Sequence, residues 1–305
     1  MSWSRTDKLF FISLLPSAII VTGLLGLFLF VVLIHSWDSI LAYGARLFVE
    51  SVWNPEKELY GILSPIIGTL LTSLIATCTA LVFSVSLSIF VVEYLNKRVQ
   101  NIFVPIIELM GGVPTIVYAI WALHYLVPFM KASIMEPLHK YLGFIPLFSC
   151  QPTTGFSILI AGIAIGIPLI PYTTSIIVES YKLVPLTYKE ACLGIGATKY
   201  ELVKVMLAII KPAIIASAIL SFARASGETT IAVTTVGNAM STSVCIIGPG
   251  YTVPALLASQ YANANLYQYA ESVLYAAALT ILLLTLVLSF IGLRILEKWR
   301  VRIVV

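Results

Sequence analysis

Charge is scarce in this chain. Of 305 residues only 18 are Lys or Arg and 14 are Asp or Glu, 10% together, where a soluble domain carries about 25%. A water-soluble body of this size needs more polar surface than that, which excludes a soluble enzyme or a nucleic-acid binder. Cysteine is scarce too, and four residues without a CxxC spacing do not make a disulfide scaffold. The three histidines, His35, His124 and His139, are scattered and lack metal-ligand spacing, so no metal site is predicted. Gly and Pro follow no period, which removes collagen-like repeats, and the high apolar content removes disorder. What the chain does contain is apolar: 59% of its residues are hydrophobic and its mean hydropathy is +1.00. An integral membrane protein remains.

A hydrocarbon core about 30 Å thick needs roughly 20 apolar residues per helix. Six stretches qualify, at approximately 9–34, 65–92, 103–130, 156–178, 205–236 and 272–296. The first lacks a small-residue cleavage pattern at His35-Ser36-Trp37 and is read as a retained anchor, not a secretory signal. Trp37, Trp53 and Trp299 near span ends fit an interfacial belt.

The eighteen basic residues sort by side. Thirteen fall on one: Arg5, Lys8, Lys97, Arg98, Lys182, Lys189, Lys199, Lys204, Lys211, Arg294, Lys298, Arg300 and Arg302. Four, Arg46, Lys57, Lys131 and Lys140, fall on the other, and Arg224 lies inside a span. Short loops retained in the cytoplasm carry the Lys/Arg excess, which places both termini there, as an even number of spans requires. Cys150 and Cys245 then occupy outer loops, where oxidation is possible in principle. The spacing favours four unpaired thiols, Cys78 and Cys192 included.

One connector is more than a connector. Residues 183–204, between spans four and five, hold two capping-box spacings, Thr187 with Glu190 and Thr198 with Glu201. Pro185 ends the preceding span, and Gly194 with Gly196 supplies a turn between two short helices. A helix-turn-helix at the membrane surface is predicted. Within it Glu190-Ala191-Cys192, three residues, then Gly196 resembles the EAA loop of ABC importer permeases, with Cys192 in place of the usual second Ala. The resemblance implies that this short helix docks in a groove of a separate ATPase subunit. A Leu-Pro pair expected shortly after is Ala208-Ile209 here, with Pro212 three residues later, which leaves the start of span five open.

Within span five, Arg224-Ala-Ser-Gly-Glu228-Thr-Thr230 interrupts an otherwise apolar segment, 214–235. A charge at the bilayer centre costs roughly 2.5 to 3.5 kcal/mol on insertion scales, so such residues face a bundle interior or an aqueous path. Arg224 and Glu228 are four apart and are expected to share one helix face and to neutralise each other when the path is empty. Arg224 would attract an oxyanion through its planar fork, and Glu228 would accept a hydrogen bond from a protonated oxygen such as that of hydrogen phosphate. Gly227 would permit close helix approach, and Thr229, Thr230, Thr234 and Thr235 would offer hydroxyl donors. The alternative is a structural ion pair that fixes packing.

Further motifs converge. Trp53-Asn54-Pro55-Glu56, Tyr60-Gly61 and Gly68-Thr-Leu-Leu-Thr-Ser73 are similar to the entry segment of phosphate ABC transporter permeases of the PstC type. Glu108-Leu-Met-Gly-Gly-Val-Pro-Thr-Ile-Val-Tyr118 resembles their third-span signature, and residues 224–230 followed by Gly237-Asn238 resemble their anion path. The similarity runs over residues 5–300. It implies an all-α integral membrane protein with the type I ABC importer permease fold: six transmembrane helices and a cytoplasmic coupling helix between spans four and five. One transmembrane domain would fill 1–305, with 1–64 as first span and outer loop and 65–300 as permease core. Implied partners are a second permease subunit (PstA-like), an ATPase dimer (PstB-like) and an extracytoplasmic phosphate-binding protein (PstS-like).

By the same implication the chain moves phosphate into the cytoplasm without catalysing a reaction itself. No stretch reads Gly, four residues, Gly-Lys-Ser/Thr, so ATP and Mg belong to the partner ATPase. A permease for sulfate, molybdate or tungstate is the competing assignment. A secondary transporter would need inverted repeats with matching broken helices, which are not seen. Residues 111–115 either unwind span three and expose backbone amides or form a packing kink at Pro114. Glu93 with Lys97 reads as an i,i+4 pair, and Glu108 and Glu179 as interfacial carboxylates, solvated or paired with Lys182.

Overall fold

The computed structural model describes residues 5–304, with side chains at 5, 7–9 and 302–304 left aside. Arg5, Lys8 and Arg302, counted above by sequence, therefore lie outside the described side chains. Among the described residues, six helices are long and apolar enough to cross a membrane.

Helix α1 (Arg5–Tyr43) outlasts its predicted end by nine residues, because Ser36 and Ser39 let it lie close against the last span. There the Ser39 amide donates to the Ser272 hydroxyl at 3.0 Å. After the short helix α2 (Arg46–Val49), strands β1 (Trp53–Asn54) and β2 (Leu59–Tyr60) pair as a hairpin, Trp53 opposite Tyr60. The Trp-Asn-Pro-Glu motif is its turn: the Asn54 side chain accepts from the Lys57 amide, and Glu58 adopts φ 53° to close it. Tyr60 is buried edge-to-face against Tyr43 and Trp53 and donates to the Gln268 carbonyl at 2.7 Å. Burial, with Tyr43, Glu58 and Tyr267 beside it, pushes its hydroxyl pKa up to about 12.

Helix α3 (Leu63–Ile89) buries a face of small and hydroxyl residues, among them Thr72, Ala76, Ala80, Ser84 and Ser88, against α8. Contact is close because Gly162 and Gly166, one turn apart on α8, sit under Ile75 and Thr79, where an added Cβ would meet side-chain atoms at 2.6 and 2.8 Å. Gly68 of α3 is needed for the same reason, since a Cβ there would fall 1.9 Å from the Tyr251 carbonyl oxygen. The span ends in a π-helical turn, Phe90–Tyr94. Helix α4 (Lys97–Gly111) follows, capped by Asn96.

Span three differs from its prediction. The chain unwinds over residues 112–114, and the membrane helix begins only at Thr115, running through α5 (Thr115–Trp121), α6 (Val127–Met130) and α7 (Glu136–Leu142) with π turns between them. Gly112 and Pro114 account for the break: Pro114 has no amide to give and disfavours helix at the residue before it. Residues 112–114 are unwound, as one of the two readings expected, but the amides are not bared: Gly112 donates to the Leu109 carbonyl at 3.0 Å and Val113 to that of Met110 at 3.4 Å.

Helix α8 (Ile158–Leu183), capped by Ser157, is the most buried span and forms the axis of the bundle. Helix α9 (Leu186–Gly194) leads to α10 (Lys199–Ser226), which starts at Lys199, not at 205, and stops at Ser226, not at 236. A second break, 227–229, precedes the stub α11 (Thr230–Thr235). The predicted outer loop 237–271 is largely folded inward: Cys245, Ile247 and Tyr251 are buried, as is the first turn of α12 (Val253–Gln260). Helix α13 (Ala270–Val304) closes the bundle, with the Trp299 indole donating to the Ile209 carbonyl at 2.9 Å.

Cys150 and Cys245 are joined in a disulfide, Cα to Cα 6.1 Å, which corrects the expectation of four unpaired thiols. Cys78 and Cys192 are free. One pairing also changes: Glu93 binds Lys189 and not Lys97. Glu179, read as solvated or paired with Lys182, is an exposed carboxylate 3.8 Å from Arg300.

Candidate functional site

Two features stand out from the packed spans: a pair of helix breaks inside the bundle, and a short helix outside it.

The breaks lie at 112–114 and 227–229, and the stubs that follow them, α5 and α11, pack on each other. Helix α8 touches both. Its Pro171 faces Gly111, where an added Cβ would stand 3.6 Å from the proline ring, and the ring of its Tyr172 lies 4.8 Å from the Arg224 guanidinium. Arg224 occupies the last turn of α10, where a cation complements the partial negative charge of the helix end. Hydroxyl pairs hold that turn in place. Ser226 bonds Ser73 of α3 at 3.1 Å, and Ser221 bonds Thr173 of α8 at 2.7 Å, all of them buried.

Glu228 does not share a helix face with Arg224. Gly227 caps α10, so i,i+4 geometry ends before Glu228, which sits half-buried with the Thr230 and Ile231 amides of α11 facing its carboxylate. Among the described residues no ion pair within 4 Å joins the two, although Arg224 is near enough for its charge to act on the carboxylate. The expected mutual neutralisation is replaced by separate partners: a π face for the cation and helix amides for the anion. Arg224 is exposed in the single chain, with its donors open.

The threonines also divide. Thr229 donates to the Gly227 carbonyl at 3.3 Å, Thr234 to Thr230 and Ile231, and Thr235 to Ile231 at 2.6 Å. Three of the four hydroxyls predicted as donors thus serve their own backbone, which is what Thr does in apolar helices. Only the Thr230 hydroxyl has no bond of this kind among the described residues. A cavity of about 860 Å³ reaches Gly227 and Thr229, but Phe28, Val32, Leu257 and Leu282 make its wall apolar, and Arg224 is not part of it. Its polar side chains are the hydroxyls of Thr229, Tyr261, Tyr275 and Thr285, and no cationic side chain lines it.

The outside helix, α9, carries the predicted Glu190, Ala191, Cys192 and Gly196. Of the two capping boxes one forms: Thr198 accepts from the Glu201 amide at 3.4 Å while the Glu201 carboxylate accepts from the Thr198 amide at 2.7 Å. The other does not, because α9 already begins at Leu186 after Pro185 and Thr187 lies inside it. Helix α9 ends in a Schellman turn, with the Ala197 amide on Cys192 and the Gly196 amide on Leu193, and Gly196 at φ 81° supplies its left-handed residue. No residue of α9 is buried. Leu193 is 56% and Ile195 87% exposed, and Glu190 and Ala191 face outward with them. Only Cys192 and Lys189 turn inward, Cys192 onto the cluster of Ile177, Tyr181 and Met206.

Tyr172, the hydroxyl pairs and the Glu93–Lys189 contact were not found from sequence. Pro168 and Pro171 in one span were the available sign that α8 does something unusual near residue 172.

Six membrane-length helices, a broken-helix centre with an unpaired arginine and an exposed helix between the fourth and fifth spans define a class, the membrane subunit of an importer. Residues 80–301 match the family described as binding-protein-dependent transport system inner membrane component, and the chain belongs to that family. Within it, the chain is 40% identical over 290 residues to the probable phosphate transport system permease protein PstC of Methanocaldococcus jannaschii, covering 94% of this chain and 92% of that protein. It is 30% identical over 293 residues to the phosphate transport system permease protein PstC of Mesorhizobium japonicum, covering 94% and 89%. The fold is that of a type I ABC importer permease. An inward-facing structure of the MetNI methionine ABC transporter superposes with a TM-score of 0.55 at 15% identity, over 78% of this chain and 95% of that one.

Proposed function

We propose that this chain is the transmembrane subunit of an ATP-driven importer that moves inorganic phosphate into the cytoplasm. The observation that carries the reading is the pairing of an arginine without a carboxylate partner at a helix break with an exposed coupling helix, in a chain 40% identical to a phosphate transport system permease. Arg224 attracts the anion; the Thr230 hydroxyl donates to it. Glu228 accepts from the protonated oxygen of hydrogen phosphate and repels an anion that lacks one.

The segment 187–201 docks on a separate ATPase through Glu190, Ala191, Gly196 and the exposed Leu193 and Ile195, while Cys192 of the same motif packs inward and seats the helix on the bundle. ATP and Mg are bound there and not by this chain. A second permease subunit supplies the other half of the path, and an extracytoplasmic phosphate-binding protein delivers the anion to the hairpin end. The α9 end, with the larger share of basic residues, faces the cytoplasm together with both termini, and the whole of 1–305 acts as one transmembrane domain.

The test is ATP-dependent uptake by the complete complex in liposomes, with labelled phosphate, sulfate and molybdate in parallel. Phosphate uptake at least tenfold above the other two is expected; equal uptake of sulfate overturns the substrate assignment.

A further inference from the structure

Helix α9 is attached to the bundle by little besides its neighbour α10, and it has no buried residue of its own. Two of its side chains reach elsewhere, Cys192 onto the cluster that includes Ile177 and Tyr181 of α8, and Lys189. Lys189 forms an ion pair with Glu93, whose side chain is only 8% exposed, and its ammonium lies 4.8 Å from the centre of the Tyr181 ring. Glu93 belongs to the π turn that ends the second span. The next residue of that turn, Tyr94, receives Lys199 from the first turn of α10 at 4.4 Å. Two lysines flanking the exposed α9 surface thus grip two consecutive residues of one π turn.

That arrangement is suited to carrying displacement. A π turn holds an extra residue in its ring, and such turns often occur at functional sites. A carboxylate this far from water is held strongly by its single cation, since separating them leaves a buried charge uncompensated. An outward or sideways shift of α9 therefore draws the end of the second span with it. That span packs along α8, the helix that touches both breaks.

We propose that Lys189 is a positioning residue for coupling, joining α9 to the second span through Glu93, so that ATPase-driven movement of α9 reaches α3 and α8 and not α10 alone. The proposal rests on the transport reading above. It adds a transmission path through a buried ion pair to a docking surface.

The experiment uses the complete complex in liposomes and measures phosphate uptake and ATP hydrolysis together. Variants are Lys189→Met, the charge-free double variant Glu93→Gln with Lys189→Met, and the exchanged pair Glu93→Lys with Lys189→Glu. Assembly is checked by co-purification of the subunits. Lys189→Met and the double variant are expected to assemble and to hydrolyse ATP, with phosphate moved per ATP reduced at least tenfold. The exchanged pair should recover at least half of the wild-type ratio.

A double variant with the wild-type ratio overturns the proposal. So does one that no longer assembles, because the pair is then a staple of the fold. An exchanged pair that fails to recover the ratio overturns it as well. If the wild-type complex itself accumulates no phosphate with ATP, it is the transport reading that falls, and the two failures are thereby distinct.

Discussion

Lys189 and Arg224 are both cations held against a tyrosine ring, and the chain treats them in opposite ways. Lys189 has an ion-pair partner in a nearly buried carboxylate as well as the Tyr181 ring. Among the described residues Arg224 has the Tyr172 ring alone, and the acid four residues away is turned to other donors. The difference separates two uses of one charge. A cation with its counterion in place is a mechanical joint, because its attraction is already directed within the fold. A guanidinium over an aromatic face is oriented but not neutralised, so its in-plane donors remain open to an arriving oxyanion.

The contrast can be broken at Arg224 first. Arg224→Ala is expected to lower ATP-driven phosphate uptake by a hundredfold or more with the complex intact, and Arg224→Lys to recover little, because a point charge does not reproduce the bidentate fork. Uptake within threefold of wild type in Arg224→Ala would return the residue to a packing role. A smaller effect is expected at the ring beneath it. Tyr172→Leu removes a cation–π contact of about 0.5 to 2 kcal/mol, so the anion concentration for half-maximal uptake should rise between about twofold and thirtyfold, with maximal uptake nearly unchanged. Smallest is the capping comparison at the α9 end. Thr198→Ala removes a formed cap and should cost about 1 kcal/mol, read as a lower melting temperature of the purified complex. Thr187→Ala should leave that temperature in place.

That last pair shows how far the sequence could be read. Both threonines precede a glutamate by three residues, and spacing alone does not separate them. What does is where the helix begins: Pro185 starts α9 at Leu186 and carries Thr187 into the first turn, beyond the capping position. The same limit applies to Arg224 and Glu228. Counting four residues presumes a continuous helix, and Gly227 interrupts it. Six spans, the α9 segment and the weakness of 112–114 were legible because hydropathy, proline and glycine act locally. Glu93 with Lys189, separated by 96 residues, and Cys150 with Cys245, separated by 95, were not. Such partners are chosen by how helices stack, and that depends on close approaches such as those at Gly162 and Gly166, whose role appears only when Ile75 and Thr79 are set above them.

Pro171 and Tyr172 are neighbours on one helix, so about 100° of rotation and 1.5 Å of rise separate them. The unwound stretch of the third span and the guanidinium of the fifth are therefore referenced to a single rigid datum. A residue gained or lost in α8 ahead of them turns both contacts by the same angle, and one lost between its cap and its end cannot be absorbed by only one of them. Alignment of the two halves of the centre is in this sense machined into one part, and tolerance to length change in this chain should be lowest there, in the span with the greatest burial.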